Sequence, residues 1–461
     1  MKVPEKEILE GDILKIIFVL GWPTMVLQIL QVAYNMADTF WLGRWSSGEK
    51  AQSAVAAMQI SWPVIFVMIS IGAGFGVAAI SLISQYTGAG KVEKASHATG
   101  QLIIIAILLA LTLSAAGILL TPYLLNIMSL ENRVEVYSIQ YMRIIFLGLP
   151  FVFLSYMFMA VFRAFGSPLI PMYVNGFGVI VNIALDPVLI NGYFGFPSLG
   201  VYGAAIATII SRALTTAISL YIVHRGVAGL KVYLRHLKPS LFYVKKIFHI
   251  GSPAALGQFS SALGFFALMT IISTLPNSTV PIAAYGVGDR IIEFGFIIIM
   301  GLDMGMATIV GHSLGAGKFS RAKEAFRTAV KLSFVLLAIM TVIIAAFGEE
   351  LVAFFIPRSP EVIKEGGRFL LIFGLGIPFF GVFSAVQGLY QGAGRTFPIL
   401  VMDISRLWLF RVLMVYLLGI ALSMGTTGVW IGMALSNVLA AGVAMYYYFK
   451  GDWKHRVIEE E

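Results

Sequence analysis

The sequence predicts an all-α polytopic membrane protein, with twelve transmembrane helices in two six-helix bundles related by a pseudo-twofold axis along the membrane normal. Three observations carry this. Of 461 residues, 59% are hydrophobic and only 12% charged, and the mean hydropathy is +0.88, whereas soluble domains carry roughly 25% charged residues. Apolar windows long enough to span a bilayer recur twelve times, near 14–42, 54–86, 99–123, 135–164, 169–191, 200–223, 244–274, 281–312, 327–347, 365–392, 397–420 and 426–449. Short motifs repeat at an almost constant offset.

Taken in order, the first residues, Met1-Lys-Val-Pro-Glu-Lys-Glu, lack the basic run and small-residue cleavage site of a signal peptide, so the first helix is expected to stay. Pro23, Pro63, Pro150, Pro187 and Pro378 each remove one backbone bond and mark bends. Gly21-Trp-Pro23 recurs as Gly251-Ser-Pro253, and Thr87-Gly-Ala-Gly-Lys91 as Leu314-Gly-Ala-Gly-Lys318. Leu147-Gly-Leu-Pro150 recurs as Leu375-Gly-Ile-Pro378, and Phe165-Gly166-Ser-Pro168 as Ala393-Gly394-Arg-Thr-Phe-Pro398. The offsets are 230, 227, 228 and 228, the mark of a duplication. Six helices per copy is an even number, so both copies start on the same side. This divides the chain into an N-terminal lobe (1–223), a cytoplasmic connector (224–243) and a C-terminal lobe (244–461). Lys and Arg concentrate in the tails and the even-numbered loops, which places both termini in the cytoplasm.

Several function classes drop out. Cysteine is absent, and the six histidines fall in loops or at helix ends without paired-ligand spacing, so thiol chemistry and a transition-metal site are not expected. The +9 charge lies in short loops, where lipid headgroups and insertion topology account for it; no nucleic acid is expected as a partner. Gly88-Ala-Gly-Lys91 and Gly315-Ala-Gly-Lys318 lack the earlier glycine of a phosphate loop and read as helix-ending turns. Gly72-Ala-Gly-Phe-Gly76 follows no strand, so helix flexing or close helix packing replaces dinucleotide binding. No nucleophile has a paired base, so an enzyme is not expected, nor a cofactor.

The candidate site starts with Asp38. A carboxylate in hydrocarbon costs on the order of 2.5–3.5 kcal/mol, so it persists when paired, hydrated or used. Gln31, Tyr34 and Asp38 share one face of the first helix. Asp186 stands four residues after Asn182 and before Pro187, whose ring frees the carbonyl of Ile183. Two carboxylates, an amide oxygen and spare carbonyls suit Na⁺ or a shared proton and not a soft metal. Thr208 on the sixth helix can add a hydroxyl or bond back to its own helix. Gln31, Tyr34 and Tyr141 are the candidate substrate-cavity residues. Shifted by the repeat offset, Asp38 lands on Leu268 and Asp186 on Met414, so these acids are expected in the N-terminal half alone. Asp403 and Arg406, three apart, read as a local ion pair, as does the Asp289, Arg290, Glu293 cluster. Arg143 and Arg212 are read either as counter-ions for the acids or as snorkelling to a headgroup.

The ordered set of Pro23, Asp38-Thr-Phe-Trp-Leu-Gly43, Gln85-Tyr-Thr-Gly-Ala-Gly-Lys91, Arg163-Ala-Phe-Gly166, Asn182 to Pro187 and Gly203 to Thr208 resembles the multidrug and toxic compound extrusion (MATE) family, in its prokaryotic DinF-like branch. The resemblance implies a V-shaped pair of bundles exporting cationic or amphipathic compounds against Na⁺ or H⁺. It also implies a cation site at Asp38, Asn182, Asp186 and Thr208, with Tyr34 and Tyr141 nearby. In the NorM-type branch, acids on the seventh and tenth helices form a second site. Here those helices read Gln258-Phe-Ser-Ser-Ala-Leu-Gly and Phe383-Ser-Ala-Val-Gln-Gly-Leu-Tyr, without an acid, which shifts coupling to the N-terminal lobe.

The expectation is therefore a monomeric, multi-pass antiporter of the prokaryotic cell membrane. Its partners are small-molecule drugs or metabolites and membrane lipids, and its coupling ion is Na⁺ or H⁺. The rival reading is a lipid or lipid-linked oligosaccharide flippase of the same superfamily, which calls for a strongly cationic cavity and extra helices.

Overall fold

The computed structural model describes residues 3–45, 49–127, 132–227 and 229–459. The described residues are helical almost throughout. A short α1 (Glu5–Glu10) precedes α2 (Ile13–Arg44), α3 (Glu49–Gly88), α4 (Val92–Ile127), α5 (Asn132–Leu147), α6 (Leu149–Ala164), α7 (Leu169–Asn191) and α8 (Val201–Arg225). Then come α9 (Leu241–Ser273), α10 (Thr279–Gly315), α11 (Phe319–Phe355), α12 (Pro360–Gly374), α13 (Ile377–Ala393), α14 (Phe397–Ala421) and α15 (Gly425–Lys450). Ten of these are long and apolar enough to cross a membrane, and two bent pairs bring the number to twelve. The protein is thus an all-α polytopic membrane protein.

The bent pairs are the fourth span of each copy. α5 and α6 meet at 54°, and α12 and α13 at 51°. Both breaks fall on the repeated Leu-Gly-x-Pro, where proline occupies the first turn of the second helix and ends the first. The phosphate-loop lookalikes close α3 and α10. Lys91 N–H donates to Tyr86 O at 2.8 Å and Lys318 N–H to Ser313 O at 2.7 Å, around Gly90 (φ +72°) and Gly317 (φ +74°). Only glycine takes that left-handed conformation without strain, so the motif is a helix stop.

The chain clusters into two compact units, one of residues 1–3 and 26–255, the other of residues 4–25 and 256–461. The division falls inside α2 after Met25 and inside α9 after Ala255, in each case two residues past a proline, Pro23 or Pro253. Glycines let backbones cross there. A Cβ on Gly21 would stand 2.6 Å from Gly301 O in the second unit, and one on Gly74 would stand 2.3 Å from Ala255 N in the first. Gly74 and Gly301 are themselves repeat partners, at offset 227. The Gly72-Ala-Gly segment is therefore a packing device.

The connector is docked on the first unit. Gln101 Nε2 donates to His236 O (2.8 Å) and Lys238 O (2.7 Å), and Ser240 N–H donates to Gln101 Oε1 (3.0 Å). Glu93 accepts from Arg235 at 2.7 Å and contacts His236 Nε2 at 2.9 Å.

Gly74→Ala should lower the melting temperature of the purified protein, because its Cβ meets backbone and overpacking costs about 1–3 kcal/mol. Gly43→Ala, where nothing lies within 4 Å, should not. Equal behaviour in a thermal shift measurement would contradict the crossing geometry.

Candidate functional site

Asp38 reaches its place because α2 runs unbroken from Ile13 to Arg44 and is clasped just beyond its end. Trp45 Nε1 donates to Ser198 Oγ at 2.8 Å, and Ser198 Oγ donates to Ile190 O at 3.0 Å. The turn between α7 and α8 is closed by Leu199 N–H to Leu189 O (3.0 Å) and Gly200 N–H to Ile190 O (3.1 Å). Gly203 lets α8 approach this turn, since a Cβ there would stand 2.3 Å from Leu189 O. Leu42, Ala54, Ile65, Tyr141, Ile145, Ile190 and Val201 form a buried apolar cluster around this end of the unit.

Asp38, Asn182 and Asp186 are buried together, at 4%, 0% and 0% exposure. The carboxyl of Asp38 comes within hydrogen-bonding reach of both Asp186 and Asn182. Asn182 Nδ2 donates to Asp186 Oδ1 at 3.3 Å. Two carboxylates are both acceptors and cannot bond each other without a proton between them. Accordingly Asp38 Oδ1, Asn182 Oδ1 and Asp186 Oδ2 are buried without a hydrogen-bond partner, as are the hydroxyls of Tyr34 and Thr208. Buried polar atoms are nearly always paired, so five orphans on three neighbouring helices are unusual. A small cation or a proton is what this set of oxygens lacks.

The structure brings together Tyr34, Asp38, Asn182, Asp186 and Thr208, with Tyr141 buried in the adjoining apolar cluster. Gln31 stands apart, in a second polar layer. It accepts from Arg212 Nη2 at 3.0 Å and donates to Asn35 Oδ1 at 3.3 Å. Arg212 therefore neither pairs with the acids nor snorkels: neutral oxygens and tyrosine faces hold it, while Arg143 is exposed.

The C-terminal unit corrects two expectations. Buried acids are not confined to the N-terminal half: Asp303 and Asp403 are 7% and 5% exposed. Asp303 accepts a very short hydrogen bond from Ser384 Oγ, and its Oδ1 has no partner. Asp303 corresponds to Phe75 at offset 228, so following Asp38 and Asp186 across the duplication does not reach it. The cue is the acid itself, ten residues beyond Glu293 in the apolar second half of the eighth span. The expected Asp403–Arg406 ion pair is also absent among the described residues. Asp403 Oδ1 accepts from Gln387 Nε2 at 2.8 Å, and Arg406 lies over Phe380 and Phe383. The cause is π-helical winding over Ser405–Val412, which alters the face each side chain presents. Arg290 and Glu293 do pair, at 3.2 Å.

Asp186→Asn replaces one like charge with a neutral amide. The melting temperature of the detergent-purified protein in Na⁺-free buffer should rise relative to the unsubstituted chain, whereas a fall would mean that the acids do not repel.

The chain matches the MatE family model over residues 23–188 and 253–417, one match per copy of the duplication. It is 26% identical over 439 residues to "Probable multidrug resistance protein YoeA" of Bacillus subtilis, covering 95% of this chain and 93% of that one. It is 28% identical over 461 residues to "Probable multidrug resistance protein NorM" of Thermotoga maritima, covering 99% and 96%. A multidrug resistance MATE family transporter solved in its outward-facing conformation superposes with a TM-score of 0.88 at 25% identity, covering 98% of each chain. With both copies matched and nearly the whole length shared with these relatives, the chain belongs to the MATE family of membrane transporters.

Proposed function

We propose that this transporter is a cation-coupled antiporter that exports amphipathic or cationic organic compounds by alternating access, with Na⁺ or H⁺ entering at Asp38, Asn182, Asp186 and Thr208. The observation that carries the reading is that the carboxyls of Asp38 and Asp186 are buried within interaction range of each other, with orphaned oxygens around them. At ~4 Å and an effective dielectric of ~20, two like charges repel by about 4 kcal/mol. Occupation of the pair removes that repulsion and draws α2 and α7 together. Emptying it lets them part, with Pro23 the point where α2 has lost a backbone bond. Export follows if drug and cation favour different states, since a ligand shifts an equilibrium only by its differential affinity.

Gln31, Tyr34 and Tyr141 line the drug's path in this reading, and the lobes are 1–223 and 244–461, joined by the 224–243 connector. The distribution of Lys and Arg supports cytoplasmic termini in a prokaryotic cell membrane. The names of the relatives support drug export over lipid flipping.

Three measurements test it. Asp38→Asn should abolish coupled efflux while expression stays intact; full drug resistance in cells carrying that variant would sink the assignment. Proteoliposomes given a Na⁺ gradient and a pH gradient separately should show transport driven by one of them, and transport driven by neither would remove the coupling. Asp303→Asn should retain gradient-driven transport, because Ser384 already supplies a donor to that acid. Loss of coupling in that variant would move the ion site to the C-terminal unit.

A further inference from the structure

Arg212 is an intramembrane cation for which the cation site has no use. It projects from α8 into the polar layer next to the acid pair, half-buried. Nη2 donates to Gln31 Oε1 of α2 at 3.0 Å, and Nη1 makes a long 3.4 Å contact with Asn175 Oδ1 of α7. Its Cζ lies 5.2 Å from the ring centroid of Tyr34 and 5.8 Å from that of Tyr156. Among the described residues no carboxylate pairs with it. Asp38 is near enough for their charges to interact, yet forms no ion pair with it.

A guanidinium carries five N–H donors, and two are engaged here, one of them weakly. The side chains bonded to each other around it are neutral: Asn175 Nδ2 donates to Pro171 O at 2.9 Å, and Ser155 Oγ lies 3.5 Å from Asn175 Oδ1 and from Thr215 Oγ1. A charge in a membrane interior is costly and is retained where it pairs or binds something. Arginine, in place of a compact ammonium, suits the planar two-oxygen edge of a carboxylate or phosphate. Gln31, Asn175 and the two tyrosine rings hold the guanidinium in one orientation, which lowers the ordering cost of binding.

We infer that Arg212 is an anion-docking residue in the substrate path, so that this transporter takes organic anions or zwitterions whose carboxylate or phosphate seats on the guanidinium. This rests on reading the layer as part of the substrate path, and within the amphipathic class of that reading it favours compounds with an anionic group over those that are only cationic. A zwitterion can place its anionic end on Arg212 and its cationic end toward Asp38 and Asp186. A compound with only a cation meets Arg212 as a like charge.

The test uses the purified full chain in detergent with three probes sharing one ring: 1-naphthyl phosphate, 1-naphthol and 1-naphthylmethylamine. Equilibrium binding at neutral pH should favour the phosphate over the alcohol by about tenfold or more, with the amine weakest. Arg212→Lys should keep part of the preference. Arg212→Gln, which can still bond Gln31, should remove it while the melting temperature stays near that of the unsubstituted chain. Equal affinities, no binding of the phosphate, or a preference that survives Arg212→Gln overturns the inference. No gradient is involved, so these outcomes stand apart from the Asp38→Asn efflux result: an anion preference that Arg212→Gln removes, alongside intact Asp38→Asn efflux, sinks only the coupling site, whereas no anion preference alongside abolished Asp38→Asn efflux sinks only this inference.

Discussion

The constraint on which the N-terminal unit turns is that two acidic side chains from different helices are buried within interaction range of each other. Asp38 on α2 and Asp186 on α7 are both nearly fully buried, and the only donor bonded within the pair is Asn182 Nδ2, at 3.3 Å. Elsewhere a buried carboxylate is held by its own donor. Here each acid has the other as its neighbour, and three of the surrounding side-chain oxygens are left without partners. A third body between them changes the sign of the interaction. That gives a monovalent ion leverage over the distance between two membrane helices, which a singly satisfied acid does not provide.

The scaffold that delivers these acids is built from the duplication, and it was the most legible part of the chain. The repeated Leu-Gly-x-Pro became the 54° and 51° breaks, and the repeated Gly-Ala-Gly-Lys became the left-handed stops after α3 and α10. These motifs could be read because they act locally: a missing N–H or a positive φ needs no knowledge of the rest of the fold. The glycine crossings at Gly21 and Gly74 were half legible. The spacing around Gly74 allowed close packing and Gly21 stood out only as a repeated position, but Gly301 O and Ala255 N emerge as the opposing atoms only in three dimensions.

The site was legible to the extent that it is amphipathic. An acid, an amide and a phenol on one face of an apolar helix drew attention to Asp38, and the four-residue spacing of Asn182 and Asp186 predicted their contact. What could not be read depended on winding or on long-range partners. Asp403 turned to Gln387, sixteen residues away, once α14 adopted a wider helical turn. Asp303 found Ser384 across 81 residues. Arg212 had two plausible roles by position, and neither included a bond to Gln31, 181 residues distant.

These differences make the two copies chemically unequal in a way their shared helices conceal. The C-terminal unit also buries acids, but it gives each a donor: a serine hydroxyl for Asp303 and a glutamine amide for Asp403. It buries Arg411 against Asn437 at 2.7 Å and Ser436 at 3.0 Å. Such bonds add rigidity, because breaking them leaves a desolvated group unpaired, at about 1–3 kcal/mol or more. The N-terminal unit sets two acids against each other on one layer and an unspent guanidinium on the next. Both copies thus keep buried polar atoms without partners, Asp303 Oδ1 among them, and what sets them apart is pairing: each C-terminal acid has a donor of its own, whereas the N-terminal acids face each other.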